Sequence, residues 1–115
     1  MTSCIHLLEG TTLDAAVFES LGHEVRGDGT TYVASLEGDV IAIVGDPSIS
    51  AYVRSPSREW AVGGELIEDN KIAIWFEKGK WHALCDKQHA TGPTPLVAGM
   101  RALCLAGKAI QRGAS

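Results

Sequence analysis

The stretch NKIAIWFEKGKWHALC, residues 70–85, reads as a β-hairpin and decides the fold class. Apolar and polar side chains alternate on both sides of Lys78-Gly79, which suits a two-residue hairpin loop. In that register Glu77 faces Lys80, Phe76 faces Trp81, Trp75 faces His82, Ile74 faces Ala83 and Ile72 faces Cys85. Ile72, Ile74, Phe76, Trp81, Ala83 and Cys85 then form an apolar core face. Ala73, Trp75, Glu77, Lys80, His82 and Leu84 form a second, amphipathic face. The opposite charges of Glu77 and Lys80 agree with this register.

Downstream, TGPTPLVAGMRALCLAGKA (91–109) predicts a helix over residues 95–110. Thr94 is the N-cap, and Pro95 stands at the first helical position, where its missing N–H costs nothing. Leu96, Met100, Leu103 and Gly107 follow at helical spacing. Upstream, SPSREWAVGGELIED (55–69) predicts a helix over 58–68 capped by Ser57. Gly63-Gly64 costs about 1 kcal/mol per glycine inside a helix, so the helix breaks there or something packs very close. YVASLE and VIAIVG flank Gly38-Asp39 and predict another hairpin, with Tyr32, Ala34, Leu36, Ile41 and Ile43 on one apolar face. AYVR (51–54) is a brief strand. Near the start, Thr11 or Thr12 caps a helix over 13–21, Asp14 approximates a capping box, and Gly22 ends it. These elements add up to one α+β domain over residues 1–115. Its small antiparallel sheet is built from β-hairpins and packed with about three helices.

The chain has 115 residues and a net charge of −4 with no Lys/Arg run, so it lacks the electrostatic footprint of a duplex nucleic-acid binder. Its apolar runs are too short to span a bilayer, and its first residues have no basic signal-peptide pattern. Cys4, Cys85 and Cys104 cannot all pair within one chain and read as reduced thiols of a cytosol. Cys85 and His89 sit four apart but have no second ligand pair, so no metal is expected. Gly27-x-Gly29 reads as a turn rather than a phosphate loop, and no cofactor is expected. There is no Gly-x-Ser-x-Gly elbow, and the spacing of Glu59, Glu65 and His82 does not demand catalysis.

Several residues could hold a ligand, each with a plainer structural alternative. Trp75 beside His82 could stack a nucleobase, or simply pack under a helix. Trp60 with Arg54 and Arg58 could hold a ring and a phosphate, or be a core tryptophan with two solvated arginines. Gly63 and Gly64 would let a ligand or a neighbouring subunit approach the backbone. The helix N-terminus at Thr94, stiffened by Gly92 and Pro93, could hold an anion, or be an ordinary capped end. Arg101 could reach across a subunit interface or stand exposed. A small sheet with open edges and a half-apolar outer face leads to the expectation of a homo-oligomer with ligand sites between subunits.

SPSREWAVGGELIE, the hairpin with its tryptophan, and GPTPLVAGMRALCLA resemble the NinX-like small phage accessory proteins. LEGTTLDAAVFESLG resembles that family's N-terminal pattern, whereas residues 24–50 carry little of the likeness. Such proteins often continue into an acidic, proline-containing tail, whereas this sequence stops at GKAIQRGAS. The resemblance implies a phage or prophage origin and action in the host bacterial cytoplasm. By analogy with other phage accessory proteins, the leading expectation is a non-catalytic sponge for a small phosphate-bearing nucleotide of host immunity. The alternatives are an inhibitor that docks on a host protein and a small nucleotide hydrolase.

Overall fold

The computed structural model describes residues 5, 7–48 and 52–114, with residues 108–114 described through their backbone alone. Cys4 and Ala51 lie outside the described residues. The described elements run α1 (Gly10–Ser20), β1 (Glu24–Gly27), β2 (Tyr32–Leu36), β3 (Asp39–Val44), β4 (Val53–Arg54), α2 (Trp60–Asp69), β5 (Ala73–Glu77), β6 (Lys80–Cys85), β7 (Gln88–Gly92) and α3 (Pro95–Ala114). The α+β class is as expected, but the strands form two sheets rather than one. One has the order β1-β2-β3-β4 and the other β5-β6-β7.

The 70–85 hairpin has the expected register, from Glu77 opposite Lys80 to Ile74 opposite Ala83. Lys78 and Gly79 both take positive φ, as a tight hairpin turn of this hand requires. Residues 88–92 add a third, unexpected strand that pairs with β6. Its inner face joins Ala83, Cys85 and Ala90 to the main core.

α3 is the centre of the molecule. Leu96–Cys104 and Ala106 are buried along it. β5–β7 cover one side, and α1 and α2 cover others. Small residues permit these approaches. A Cβ on Gly99 would fall 3.2 Å from Ile67 and 3.3 Å from Ile74, and one on Gly107 would fall 2.7 Å from Ser20. Leu13, Val17 and Met100 are fully buried against α3's surroundings. Each such side chain contributes about 1.5–3 kcal/mol through burial. Thr94 caps α3 as expected, its Oγ1 accepting the Val97 N–H at 3.1 Å.

The first hairpin corrects its predicted register. Its turn is Glu37-Gly38, both at positive φ, not Gly38-Asp39. Leu36 therefore pairs with Asp39, and a bulge shifts the ladder so that Ala34 meets Ala42 and Tyr32 meets Val44. Ala34, Val44 and Phe18 form a small second core, while Ile41 and Ile43 stay exposed. Beyond the bulge, the one-residue slip exchanges the faces. β1 pairs antiparallel with β2, and β4 joins β3 in parallel.

The helix starts also differ from the sequence reading. α1 begins at Gly10 after Glu9 and has no side-chain cap, so neither Thr11 nor Thr12 caps it and Asp14 closes no capping box. Its end does follow the glycine signal. Gly22 at φ +96° lets its own N–H reach Glu19 O and the His23 N–H reach Phe18 O. α2 starts at Trp60 rather than 58, with Glu59 at the N-cap position instead of Ser57. It runs through Gly63-Gly64 without breaking, because Gly63 lies against the backbone of Pro56 and the side chain of Leu96.

Candidate functional site

Asp14, expected as the acid of a capping box, and Ser57, expected as an N-cap, instead build a buried polar knot. Ser55 Oγ donates to Asp14 Oδ2, and the Ser57 N–H donates to Asp14 Oδ1 at 2.7 Å. Arg58 Nε donates to Ser55 Oγ at 2.7 Å. Its Nη2 lies 3.0 Å from Thr11 Oγ1, 3.1 Å from Gly45 O and 3.4 Å from Asp14 Oδ2. Burial pushes the Asp14 carboxyl above the ordinary carboxylate range, while its hydrogen bonds and the Arg58 charge pull it back. Arg58 thus ties α1, the 55–57 loop and the end of β3 together through an inward-facing guanidinium. Ser55 beside a carboxylate resembles an activated hydroxyl, yet both residues are sealed from solvent. Their arrangement holds a loop and presents no nucleophile.

Glu59, just beyond that loop, lines a groove of about 490 Å³ between α1, β3, β4 and α2. Phe18, Leu21, Ala42, Val62 and Leu66 provide apolar walls, and Arg54, Glu59 and Glu65 provide charge. The bulge leaves both Ile41 and Ala42 lining the groove. Glu59 is fixed because its Oε1 accepts the Ser55 N–H at 2.7 Å. Arg54 is exposed at the end of the parallel pair of β3 and β4. A volume of this size suits a nucleoside-sized ligand. A guanidinium suits phosphate, and carboxylates accept hydroxyl donors.

The remaining predicted residues lie elsewhere. Trp60 stands at the start of α2, 59% exposed, with its ring over Gly64. Gly92 is packed against Val97 and the Ala98 N–H, so it fixes the turn from β7 into α3. Arg101 is buried, its side chain only 10% exposed, and donates 2.8 Å bonds to Leu8 O and Thr91 O. Desolvation lowers its pKa, against the pull of Glu9. It clasps the N-terminal segment to β7 and is neither an exposed side chain nor a free reach across a subunit seam.

Trp75 and His82 stack as the hairpin register requires, with centroids 5.3 Å apart and planes 10° apart. The sequence reading weighed His89 only with Cys85, whereas β7 places it beside Trp75 and His82. Its ring lies 5.8 Å from Trp75 and 5.2 Å from His82. Within one protomer the tryptophans and arginines therefore do not converge. They fall into a groove with Arg54, a polar knot with Arg58, a clasp with Arg101, an exposed Trp60 and an indole–imidazole stack on the second sheet.

A second hollow of about 430 Å³ is lined by Lys71, Cys85 and Asp86, among others. Burial, then Asp86, pushes the Cys85 thiol up, which disfavours a reactive thiolate there. Among the described residues, no helix is long and apolar enough to cross a membrane. No curated protein matches the chain. Residues 6–106, which include α1, the 55–69 segment, the tryptophan hairpin and the first part of α3, match the family described as Bacteriophage P22, NinX. The chain belongs to this phage NinX family.

Proposed function

We propose that this phage protein is a non-catalytic sponge that captures a small phosphate-bearing nucleotide of host immunity in the host bacterial cytoplasm. The observation that carries the reading is the groove between α1, β3, β4 and α2, which combines apolar walls with Arg54, Glu59 and Glu65. In this reading Arg54 takes the phosphate, the carboxylates accept sugar hydroxyls, and the base lies between Phe18 and Leu66. Two carboxylates beside one guanidinium favour a ligand with a single anionic phosphate near Arg54, since further phosphates would face like charge.

The test is incubation with cyclic mononucleotides, cyclic dinucleotides and ADP-ribose derivatives, then removal of free ligand, heat denaturation and chromatography of what is released. Intact nucleotide in the released fraction supports the sponge. A cleaved product supports a hydrolase using Glu59 or Glu65. No retained nucleotide, together with a host protein bound in a pull-down, supports docking on that protein.

This last reading is favoured by one feature, the exposed Val33, Val40 and Ile43 on the outer side of the first sheet. The same surface would serve self-association in the homo-oligomer we propose. An Ile43→Glu substitution would then lower the mass in sedimentation equilibrium to that of one chain. A mass unchanged by the substitution would remove this face from the assembly.

A further inference from the structure

We propose that His82 and His89 form a chelating pair for a divalent transition-metal ion of the Ni²⁺, Cu²⁺ and Zn²⁺ class. The site lies on the outer face of the second sheet, against Trp75. His82 stands opposite Thr91 and His89 opposite Leu84, so the two histidines are diagonal neighbours on one face. His82 Nδ1 and His89 Nε2 are 3.0 Å apart. Two nitrogens bound side by side to one metal at about 2.0–2.1 Å are themselves about 2.9–3.3 Å apart.

The second nitrogen of His82 supports the assignment. Nε2 lies 3.1 Å from the carbonyl oxygen of Glu77. A carbonyl only accepts, so Nε2 carries the proton and Nδ1 keeps its lone pair toward His89. A backbone carbonyl on the far nitrogen is the usual device that orients a metal-binding histidine. Trp75 lies flat beside both rings, and its Nε1 donates to Glu77 Oε1 at 3.3 Å, which fixes the wall. His89 is exposed, and the last torsion of a histidine is soft, so its ring can turn its Nε2 lone pair to the shared point. His89 then carries its proton on Nδ1, and both imidazoles bind as neutral ligands.

Among the described residues, no group of three or more His, Cys, Asp or Glu side chains is placed to hold a metal. The pair therefore supplies two nitrogens and leaves the other positions to water. Imidazole donors select Ni²⁺, Cu²⁺ and Zn²⁺ over Mg²⁺ and Ca²⁺. None of these residues lines the groove, so the site stands or falls independently of nucleotide capture.

The test is titration of the untagged full chain with NiCl₂, followed by calorimetry and tryptophan emission, with MgCl₂ as the comparison ion. The expected result is saturable Ni²⁺ binding with quenching and no response to Mg²⁺. His82→Gln and His89→Gln should each weaken binding at least about tenfold, the lower bound for disturbing even an outer partner of a metal ligand. Trp75→Phe should keep the binding heat and lose most of the quench. Ni²⁺ binding of undiminished affinity in the double His82→Gln/His89→Gln variant would overturn the proposal. So would the absence of both heat and quench in the unmodified chain at millimolar Ni²⁺.

Discussion

Asp14 accepts the Ser55 hydroxyl, the Ser57 N–H and the Arg58 guanidinium while buried from solvent. Asp14→Ala would strand these donors and leave Arg58 without its carboxylate. The expected loss is about 2–4 kcal/mol in urea unfolding, below the value for a fully buried pair because Arg58 is a third exposed and keeps other acceptors. An unchanged midpoint would show that the knot is ornamental. Asp28 gives a pH signature of its own. Hydrogen bonds from the Thr30 N–H, the Thr30 hydroxyl and the Thr31 N–H lower its pKa from the ordinary 3.8 to about 2. A depressed carboxylate stabilises the fold above its unfolded value and ceases to do so as pH falls through its folded value. Asp28→Asn should therefore unfold at lower urea than the parent at neutral pH, with the difference closing between about pH 4 and 2. A difference that persists undiminished at pH 2 would contradict this sign.

The two adjacent glycines of α2 have opposite predicted effects. A Cβ on Gly63 falls on the Pro56 carbonyl oxygen and 2.8 Å from Leu96. Gly63→Ala should cost at least about 1–3 kcal/mol, because neither backbone nor core can yield. A Cβ on Gly64 meets only the Trp60 ring, at 3.1 Å, and that ring is exposed. Gly64→Ala should be neutral or stabilising by up to about 1 kcal/mol from helix propensity. Thermal unfolding of both variants checks the pair, and equal shifts would show that the packing around Gly63 is not decisive.

The close packing on this helix was legible in the glycines, but not which of the two was touched, since Pro56 and Leu96 come from other elements. Legibility followed locality elsewhere too. The 70–85 register, the Thr94 cap and the Gly22 stop all depend on neighbours a few residues away. β7 escaped because QHATG is short and polar on its outer face, and its strand form comes from pairing with β6. The first hairpin slipped because Gly38 was placed first in its turn, although Glu37-Gly38 repeats the pattern of Lys78-Gly79. The place of His89 beside Trp75 and His82 depends on that strand and was not foreseen with it. The groove had only Arg54 and the glutamates as a signal, scattered over segments that long-range packing brings together.

At the scale of the whole molecule, the chain packs the β5–β7 sheet, α1 and α2 around α3, and the first sheet packs on α1. The polar knot joins α1 to the 55–57 loop, and the Ser55 N–H of that loop in turn holds Glu59 of the groove. Fold and proposed site can therefore be separated by substitution: Asp14 belongs to the frame, and Arg54 lines the proposed ligand groove. Removing a charged hydrogen-bond donor from a ligand costs about 1.5–3 kcal/mol, or about ten- to hundredfold in affinity. The most direct measurement is calorimetric titration of the parent chain and of Arg54→Ala with the nucleotide that the parent releases intact after heat denaturation. Saturable binding by the parent, weakened about ten- to hundredfold in Arg54→Ala at an unchanged melting temperature, is the predicted result. Equal affinity in the two proteins, or no intact nucleotide released by the parent from the full panel, would contradict capture in the groove.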